Sequence, residues 1–223
     1  TIDPKRHLVY VGTGNAYTFP AADTTDSIVA LDMDTGRIAW HYQDVQGDAF
    51  LGSCGPRYEE GSNCPEKLGP DWDFGGASLI LHTLPDGRDV LVGASKGGIV
   101  AAVDPDKKGH LVWRTNLAEQ PPNASGLIVF GGAADDEAVY VPLQRPGGGL
   151  AAVRLRDGAR LWTAAVGADR RGQSAAATVI PGVVFTGGWD GILRAYSTSD
   201  GQILWQYNSA HAYETVNGID AKG

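Results

Sequence analysis

A hairpin that ends in tryptophan occurs four times in this 223-residue chain, and nothing else in the sequence restricts the fold so sharply. The clearest copy is Ser27 to Trp40, SIVALDMDTGRIAW: an apolar strand, Asp32, a turn at Asp34-Thr35-Gly36, and a second strand closed by the indole. IVAAVDPDKKGHLVW ends at Trp113, GLAAVRLRDGARLW at Trp162 and ILRAYSTSDGQILW at Trp205, each in the order alanine, turn, glycine, apolar, tryptophan. The turn glycine supplies a positive φ that a Cβ would oppose, and the aromatic ring a few residues later is able to dock on a neighbouring sheet. Upstream of each hairpin lies another strand: LVYVGTG, DVLVGAS, AVYVPLQ and GVVFTGG. Upstream again, for the last three, the small apolar runs GASLIL, SGLIVF and SAAATVI read as strands. The unit is thus about four strands in a blade of about 40 to 50 residues, which predicts an all-β propeller with four blades over 1–223. A β-sandwich also alternates strands with glycine turns, but it does not repeat a tryptophan-terminated hairpin at blade spacing. No long helix is expected.

Composition narrows the function classes. The chain is 43% hydrophobic, enough to bury a core, and its 31 glycines fall in short clusters between apolar runs, as many tight turns require. With a net charge of -8 and no basic stretch interleaved with aromatics, it lacks the groove that tracks phosphates, so nucleic acid is excluded as a partner. No apolar segment approaches the roughly 18 residues that cross a bilayer. The opening residues Thr1 to Arg6 are polar and without a signal-like stretch, and the chain reads as starting mid-protein. Cys54 and Cys64 lie in a Gly-, Pro- and Asn-rich loop, 44–70, where no regular structure holds them apart. Either they bridge, which implies an oxidising compartment and a periplasmic or secreted protein, or they are two separate thiols. Metal binding by the pair lacks both CxxC spacing and a nearby histidine.

Longer phrases add a resemblance. The hairpin from Ala30 to Trp40 resembles the tryptophan-docking motif of the pyrroloquinoline-quinone (PQQ) alcohol dehydrogenases, eight-bladed propellers that hold PQQ and Ca²⁺ in the central channel. VYVGTGN ending at Asn15, WHYQ at Trp40 to Gln43, GPDWDFGGASLIL at Gly69 to Leu81 and GASKGGIVAAVDPDKKG at Gly93 to Gly109 stand in that family's order. The two-cysteine loop and ETVNGIDAKG at Glu214 to Gly223 resemble its polyvinyl-alcohol-dehydrogenase branch. By this resemblance Asn15 coordinates the calcium, Asp73 is the catalytic base beside the metal, and Lys96 reaches the quinone oxygens. The family's calcium-binding Glu, its quinone-stacking residues and its floor tryptophan have no counterpart in this chain, so it holds part of a site. Arg154 and Ser197 replace the docking aspartate in the last two hairpins.

Read from the residues themselves, Asn15 and Asp73 sit just beyond apolar strands, where the inner ends of blades crowd a channel, and both offer oxygen to a hard cation. Their plainer reading is as turn residues that satisfy their own backbone. Lys96 reads either as the quinone-facing cation or as a solvated hairpin charge. Trp189, in GGWDG, occupies the equivalent turn of the fourth repeat, where it lines the channel or packs on the adjacent blade. GASKG matches the GxSxG pattern but is followed by a strand, and GTGNAY lacks the third glycine of a dinucleotide fingerprint. No CxxCH haem motif is present, and the histidines are scattered.

Three functions compete at this level. The first is a PQQ- and Ca²⁺-dependent dehydrogenase segment, inactive alone, that oxidises small or polymeric alcohols and passes electrons to a cytochrome c or a dye. The second is a scaffold like the outer-membrane assembly lipoprotein, which keeps the hairpins without the cofactor. The third is a ligand-binding propeller. Either of the first two requires the remaining blades or another chain as partner.

Overall fold

The computed structural model describes residues 1–54, 64–118, 127–145, 147–167, 172–219 and 221–222. Within them lie four four-stranded antiparallel sheets, each in chain order. The first blade is β1 (Ile2–Asp3), β2 (Leu8–Gly12), β3 (Ser27–Asp32) and β4 (Ile38–Gln43); the second is β5 (Ile80–Thr83), β6 (Asp89–Ala94), β7 (Ile99–Asp104) and β8 (His110–Asn116). The third is β9 (Ala133–Ala134), β10 (Ala138–Pro142), β11 (Gly149–Arg154) and β12 (Arg160–Ala165). The fourth is β13 (Thr178–Ile180), β14 (Val183–Gly187), β15 (Ile192–Ser197) and β16 (Ile203–Asn208), and a short pair, β17 (Ala212–Tyr213) and β18 (Ala221–Lys222), follows. Strand β9 touches both β5 and β13, so first strands of neighbouring blades converge.

The first strands differ from expectation. SGLIVF is not a strand over its described residues: Leu127 to Phe130 lie outside any ladder, and β9 is the pair Ala133–Ala134. The N–H of Leu127 donates to the Lys96 carbonyl and its C=O accepts from Gln144, so this apolar run commits its backbone to neighbouring loops while Leu127 and Ile128 bury their side chains. Apolarity there marks burial and not a ladder. SAAATVI contributes only Thr178–Ile180, GASLIL becomes a strand only from Ile80, and the first blade has a β1 that the sequence did not signal.

One cross-strand row recurs. Tyr10, Ala30 and Trp40 stand side by side across β2, β3 and β4; so do Val92, Ala102 and Trp113, then Tyr140, Ala152 and Trp162, then Phe185, Ala195 and Trp205. In every blade the register shifts immediately after that alanine. The small alanine lets the indole lie across the strand toward its neighbour: Trp40 is 5.6 Å from Tyr10 and Trp162 is 5.8 Å from Tyr140, ring centre to ring centre. Loss of the turn aspartate does not undo the hairpin. The turn glycine's N–H donates to the backbone carbonyl of Asp32, Asp104, Arg154 or Ser197 alike.

Each indole then meets the turn of the next blade. A Cβ on Gly109 would fall 2.4 Å from the Trp40 ring, one on Gly158 2.8 Å from Trp113, and one on Gly201 2.6 Å from Trp162. Trp113 and Trp162 also donate through Nε1 to the carbonyls of Leu155 and Thr198 in those same blades, at 2.7 and 3.0 Å. Trp205 departs from the expected packing between blades: it is 48% exposed and stacks on Tyr207 within its own strand.

Strand periodicity explains the cores between blades. In β7, Ile99, Ala101 and Val103 join the cluster shared with the first blade, while Val100 and Ala102 join the cluster shared with the third. A third cluster joins the third and fourth blades. Strands β6, β7, β10 and β11 are therefore buried on both faces and read as continuous apolar runs, whereas β2 and β14 alternate buried with more exposed positions.

The junction separates two glycines that share one backbone conformation. Gly36 (φ +68°) has open space where a Cβ would go, but Gly201 (φ +73°) faces Trp162. Gly36→Ala should cost about 1 kcal/mol for the positive φ alone, and Gly201→Ala about 3 kcal/mol because overpacking adds to it. Urea midpoints of the two variants check this; equal losses would remove the ring contact from the account.

Candidate functional site

A belt of backbone hydrogen bonds runs along one end of the blades. Phe74 N–H donates to the Thr13 carbonyl, Lys96 to Asp73, Leu127 to Lys96, Gln144 to Leu127, Gly172 to Gln144, and Trp189 to Gly172. The loop after the second strand of each blade is thereby tied to the segment that leads into a first strand. Lys96, Gln144 and Trp189 occupy matching places after β6, β10 and β14, and Asn15 lies in the corresponding loop after β2. Residues far apart in sequence share one end of the fold for this reason.

Asp73 and Lys96 meet directly. Lys96 Nζ lies 2.8 Å from Asp73 Oδ2 and 3.0 Å from Asp71 Oδ1, and the second Asp73 oxygen accepts from the Gly75 N–H at 2.8 Å. Both aspartates are buried, at 3% and 9% exposure, and the lysine is partly covered. Burial pulls the Lys96 ammonium down, but its bonds to Asp73 and Asp71 outweigh burial and hold it above the usual lysine range. Burial pushes the Asp71 carboxyl up despite the lysine beside it. The Trp72 ring lies against Gly97, where a Cβ would stand 2.5 Å from it, so the lysine turn is pinned from below.

Asn15 reaches the same neighbourhood through its backbone and turns its amide elsewhere. Its Nδ2 donates to the carbonyls of Phe50 (2.6 Å) and Ala16 (2.9 Å). The adjacent Gly14 packs on Gly75, whose would-be Cβ lies 3.1 Å from the Gly14 nitrogen and 3.2 Å from Asp73 Oδ1. Asn15 and the Asp73–Lys96 pair therefore flank one glycine contact. Trp189 lies further along the belt, where its N–H donates to the Gly172 carbonyl, and its side chain is 53% exposed. Cys54 and Cys64 form a disulfide with their Cα atoms 5.6 Å apart.

Sequence reasoning missed Asp26 and Asp48. Asp26 is fully buried, and neither of its carboxylate oxygens has a hydrogen-bond partner; the neighbouring Thr25 hydroxyl donates to Ala22 instead. Asp48 is 1% exposed and uses only Oδ2, which accepts from the Trp72 N–H at 3.0 Å. Backbone bonds place both against the Asn15 loop: Asp26 N–H donates to Gly14, and the Asp48 carbonyl accepts from Ala16. Burial, reinforced by the charges of Asp48 and Asp73, pushes the Asp26 carboxyl up to about 7. In the sequence both look like loop aspartates, and no period betrays their burial. Among the described residues no three His, Cys, Asp or Glu side chains are grouped as a preformed metal site.

Residues 1–50 match a family described as the β-propeller domain of glucose, ethanol and alcohol dehydrogenases, and residues 72–180 match one described as the outer membrane protein assembly factor BamB. The whole chain is 44% identical to a polyvinylalcohol dehydrogenase of a Pseudomonas species and spans 36% of that protein's length. Among solved structures, the quinohemoprotein alcohol dehydrogenase ADHIIG of Pseudomonas putida superposes with a TM-score of 0.67 at 20% identity, over 99% of this chain and 42% of that one. BamB from Moraxella catarrhalis superposes with a TM-score of 0.58 at 18% identity, over 93% of this chain and 49% of that one.

A buried carboxyl raised above its ordinary value near 4 stabilises the fold while it stays protonated, and that contribution is lost as pH rises through about 7. In chelator-containing buffer the chain should therefore lose stability between pH 5 and pH 8, and Asp26→Asn should flatten that loss. Denaturant midpoints at the two pH values measure it; an unchanged slope in the variant would show that Asp26 does not carry the effect.

Proposed function

Since the chain belongs to the quinoprotein alcohol dehydrogenase family of PQQ propellers, we propose that its belted loop face forms part of the active site of a PQQ- and Ca²⁺-dependent alcohol dehydrogenase. The observation that carries this is the buried Asp73–Lys96 pair, held by backbone bonds on both residues in the phrases WDF and ASKGG. A structural salt bridge at a turn has no need of burial on this scale, because desolvating the charges costs several kcal/mol.

The residues present fit the groups. Asn15 and Asp73 offer the oxygen donors that a hard cation takes, and the orphaned Asp26 and Asp48 oxygens beside them leave negative charge that a cation would balance. When bound, PQQ supplies the two-electron acceptor, and the ion supplies Lewis acidity. Asp73 is the proton acceptor for the alcohol O–H, taken at Oδ2 or Oδ1, with the Gly75 N–H and Lys96 fixing the plane of its carboxylate. Lys96, held charged, is the cation that faces the quinone oxygens once a substrate loosens its bond to Asp73. Trp72 against Gly97 keeps that turn from moving.

The substrate class is a primary or secondary alcohol, polymeric alcohols included, with a cytochrome c or dye as electron acceptor. The 44% identity to a polyvinylalcohol dehydrogenase supports this. The Cys54–Cys64 bridge supports a periplasmic or secreted location. The partner of the open faces is the remaining blades of the propeller: Trp205 is half exposed and Gly36 has space above it, whereas the other three tryptophans each meet a turn glycine. On this reading the Trp–Gly contacts are the family's tryptophan docking. A scaffold of the BamB kind is the second reading, favoured by the match over residues 72–180.

One variant separates the two. In the polypeptide that carries the remaining blades, Asp73→Asn should lower dye-linked alcohol oxidation by roughly 10²- to 10⁴-fold, with circular dichroism and urea midpoint retained. Unchanged turnover, or no PQQ-dependent oxidation in the parent protein, would favour the scaffold.

A further inference from the structure

Asp48 is 1% exposed in the segment after β4, and it binds the chain neighbour of Asn15 and the chain neighbour of Asp73 at once. Its backbone carbonyl accepts from the Ala16 N–H at 3.1 Å, and its side-chain Oδ2 accepts from the Trp72 N–H at 3.0 Å. The next two residues extend the grip. Ala49 forms a parallel bridge with Ala16 and accepts from the Gly69 N–H at 2.8 Å. Phe50 donates to the Ala16 carbonyl at 2.8 Å and accepts from Asn15 Nδ2 at 2.6 Å. Asp48 to Phe50 thus run between the Asn15 loop and the segment Gly69 to Trp72 and bond to both, while the Cys54–Cys64 bridge closes the far end of the same excursion.

We propose that Asp48 is a positioning residue of the loop face, whose carboxylate and peptide together hold Asp73 and Asn15 at a fixed separation; this rests on the reading of that face as an alcohol dehydrogenase active site. An acid buried with one oxygen that meets no donor is a costly way to satisfy a single N–H. What the arrangement gains is a bond between two loops that carry different parts of the site. The aim of the carboxylate is fixed as well: a Cβ on Gly69 would collide with Oδ1, so the Gly69 backbone packs on one oxygen and leaves the other turned to Trp72. The effect reaches Asp73 through its own peptides. Its carbonyl accepts from the Lys96 N–H, and the following N–H, that of Phe74, donates to Thr13, so a shift at Trp72 disturbs the bonds that seat Asp73 on both neighbours. A displacement of about 1 Å at a reacting group costs up to about 10²-fold in rate.

Amide hydrogen exchange on the 223-residue chain, followed by NMR, tests the bond between the loops without any turnover. In Asp48→Ala the amides of Trp72, Phe74 and Lys96 should exchange at least about tenfold faster than in the parent, whereas buried Leu91 in β6 keeps its rate. Asp48→Asn, which retains an acceptor for the Trp72 N–H, should restore slow exchange at all three. Acceleration confined to Trp72 would overturn the proposal, because Asp48 then serves one N–H only; equal acceleration at Leu91 would overturn it as a loosening of the whole fold. If Asp48→Ala does not fold, Gly69→Ala, which keeps the acid but displaces it, carries the same expectation. In the polypeptide that carries the remaining blades, at saturating PQQ and Ca²⁺, Asp48→Ala should lower kcat roughly 10- to 100-fold with KM for the alcohol within about twofold. Unchanged kcat beside faster exchange would overturn the positioning role with the dehydrogenase reading left standing. Absence of PQQ-dependent oxidation in the parent would overturn that reading and, with it, the catalytic purpose of the bond.

Discussion

The indole of one blade lying on the turn glycine of the next is the contact on which the rest of this structure depends. It asks three things of the sequence at once: an alanine in the third strand for the ring to cross, a register shift beside it, and a glycine in the following blade that lacks a Cβ and tolerates positive φ. Because one contact couples a residue in each blade to a residue in the next, it fixes the spacing of the sheets and leaves the interior strands buried on both faces. The ion pairs between the first two blades follow from that spacing. Arg6 reaches Asp89 and Asp106, and Arg114 reaches Asp44, across a distance the indole has already set.

The loop face inherits its geometry from the same stacking. With each blade packed on the next, the loops after the second strands come within backbone hydrogen-bonding distance of the segments entering the first strands, in a belt from Thr13 to Trp189. Asp73 and Lys96 are both members of that belt, so their side chains start from fixed peptide planes and meet at 2.8 Å. Both residues therefore sit in loops whose backbone is tied to neighbouring segments. The cost is a concentration of negative charge: acids on adjacent loops are forced together, and only part of that charge meets Lys96.

How much of this the sequence disclosed depends on whether a residue's role is local or collective. The hairpins were legible because alanine, glycine and tryptophan recur at fixed places, and the sheets follow them. Two of the first strands were not, because β1 and β9 are two residues long and Leu127 and Ile128 are apolar for burial outside any ladder, whereas β5 and β13 overlap the runs GASLIL and SAAATVI. Trp205 carries the same motif as Trp40, yet its environment differs, since no turn glycine among the described residues reaches it. At the site, Asp73 and Lys96 were picked out by the phrases around them, and the pairing of the two belongs to the fold. Asn15 lies in the loop after β2, and its amide faces the carbonyl of Phe50, a contact made by a segment far along the chain. Asp26 and Asp48 had no local signature at all. Their burial arises only when separate loops close over them.

The interdependence of indole and glycine is measured most directly by a double-mutant cycle on Trp40 and Gly109, because the atoms nearest the missing Cβ of Gly109 all belong to the Trp40 ring. Urea unfolding of the parent, Trp40→Ala, Gly109→Ala and the double variant gives the coupling energy. The contact described here predicts that Gly109→Ala is far less harmful once the ring is removed, with a coupling of about 1 to 3 kcal/mol. Additive losses, within about 0.5 kcal/mol, would contradict it and show that the blades are spaced by something other than the indole on the glycine.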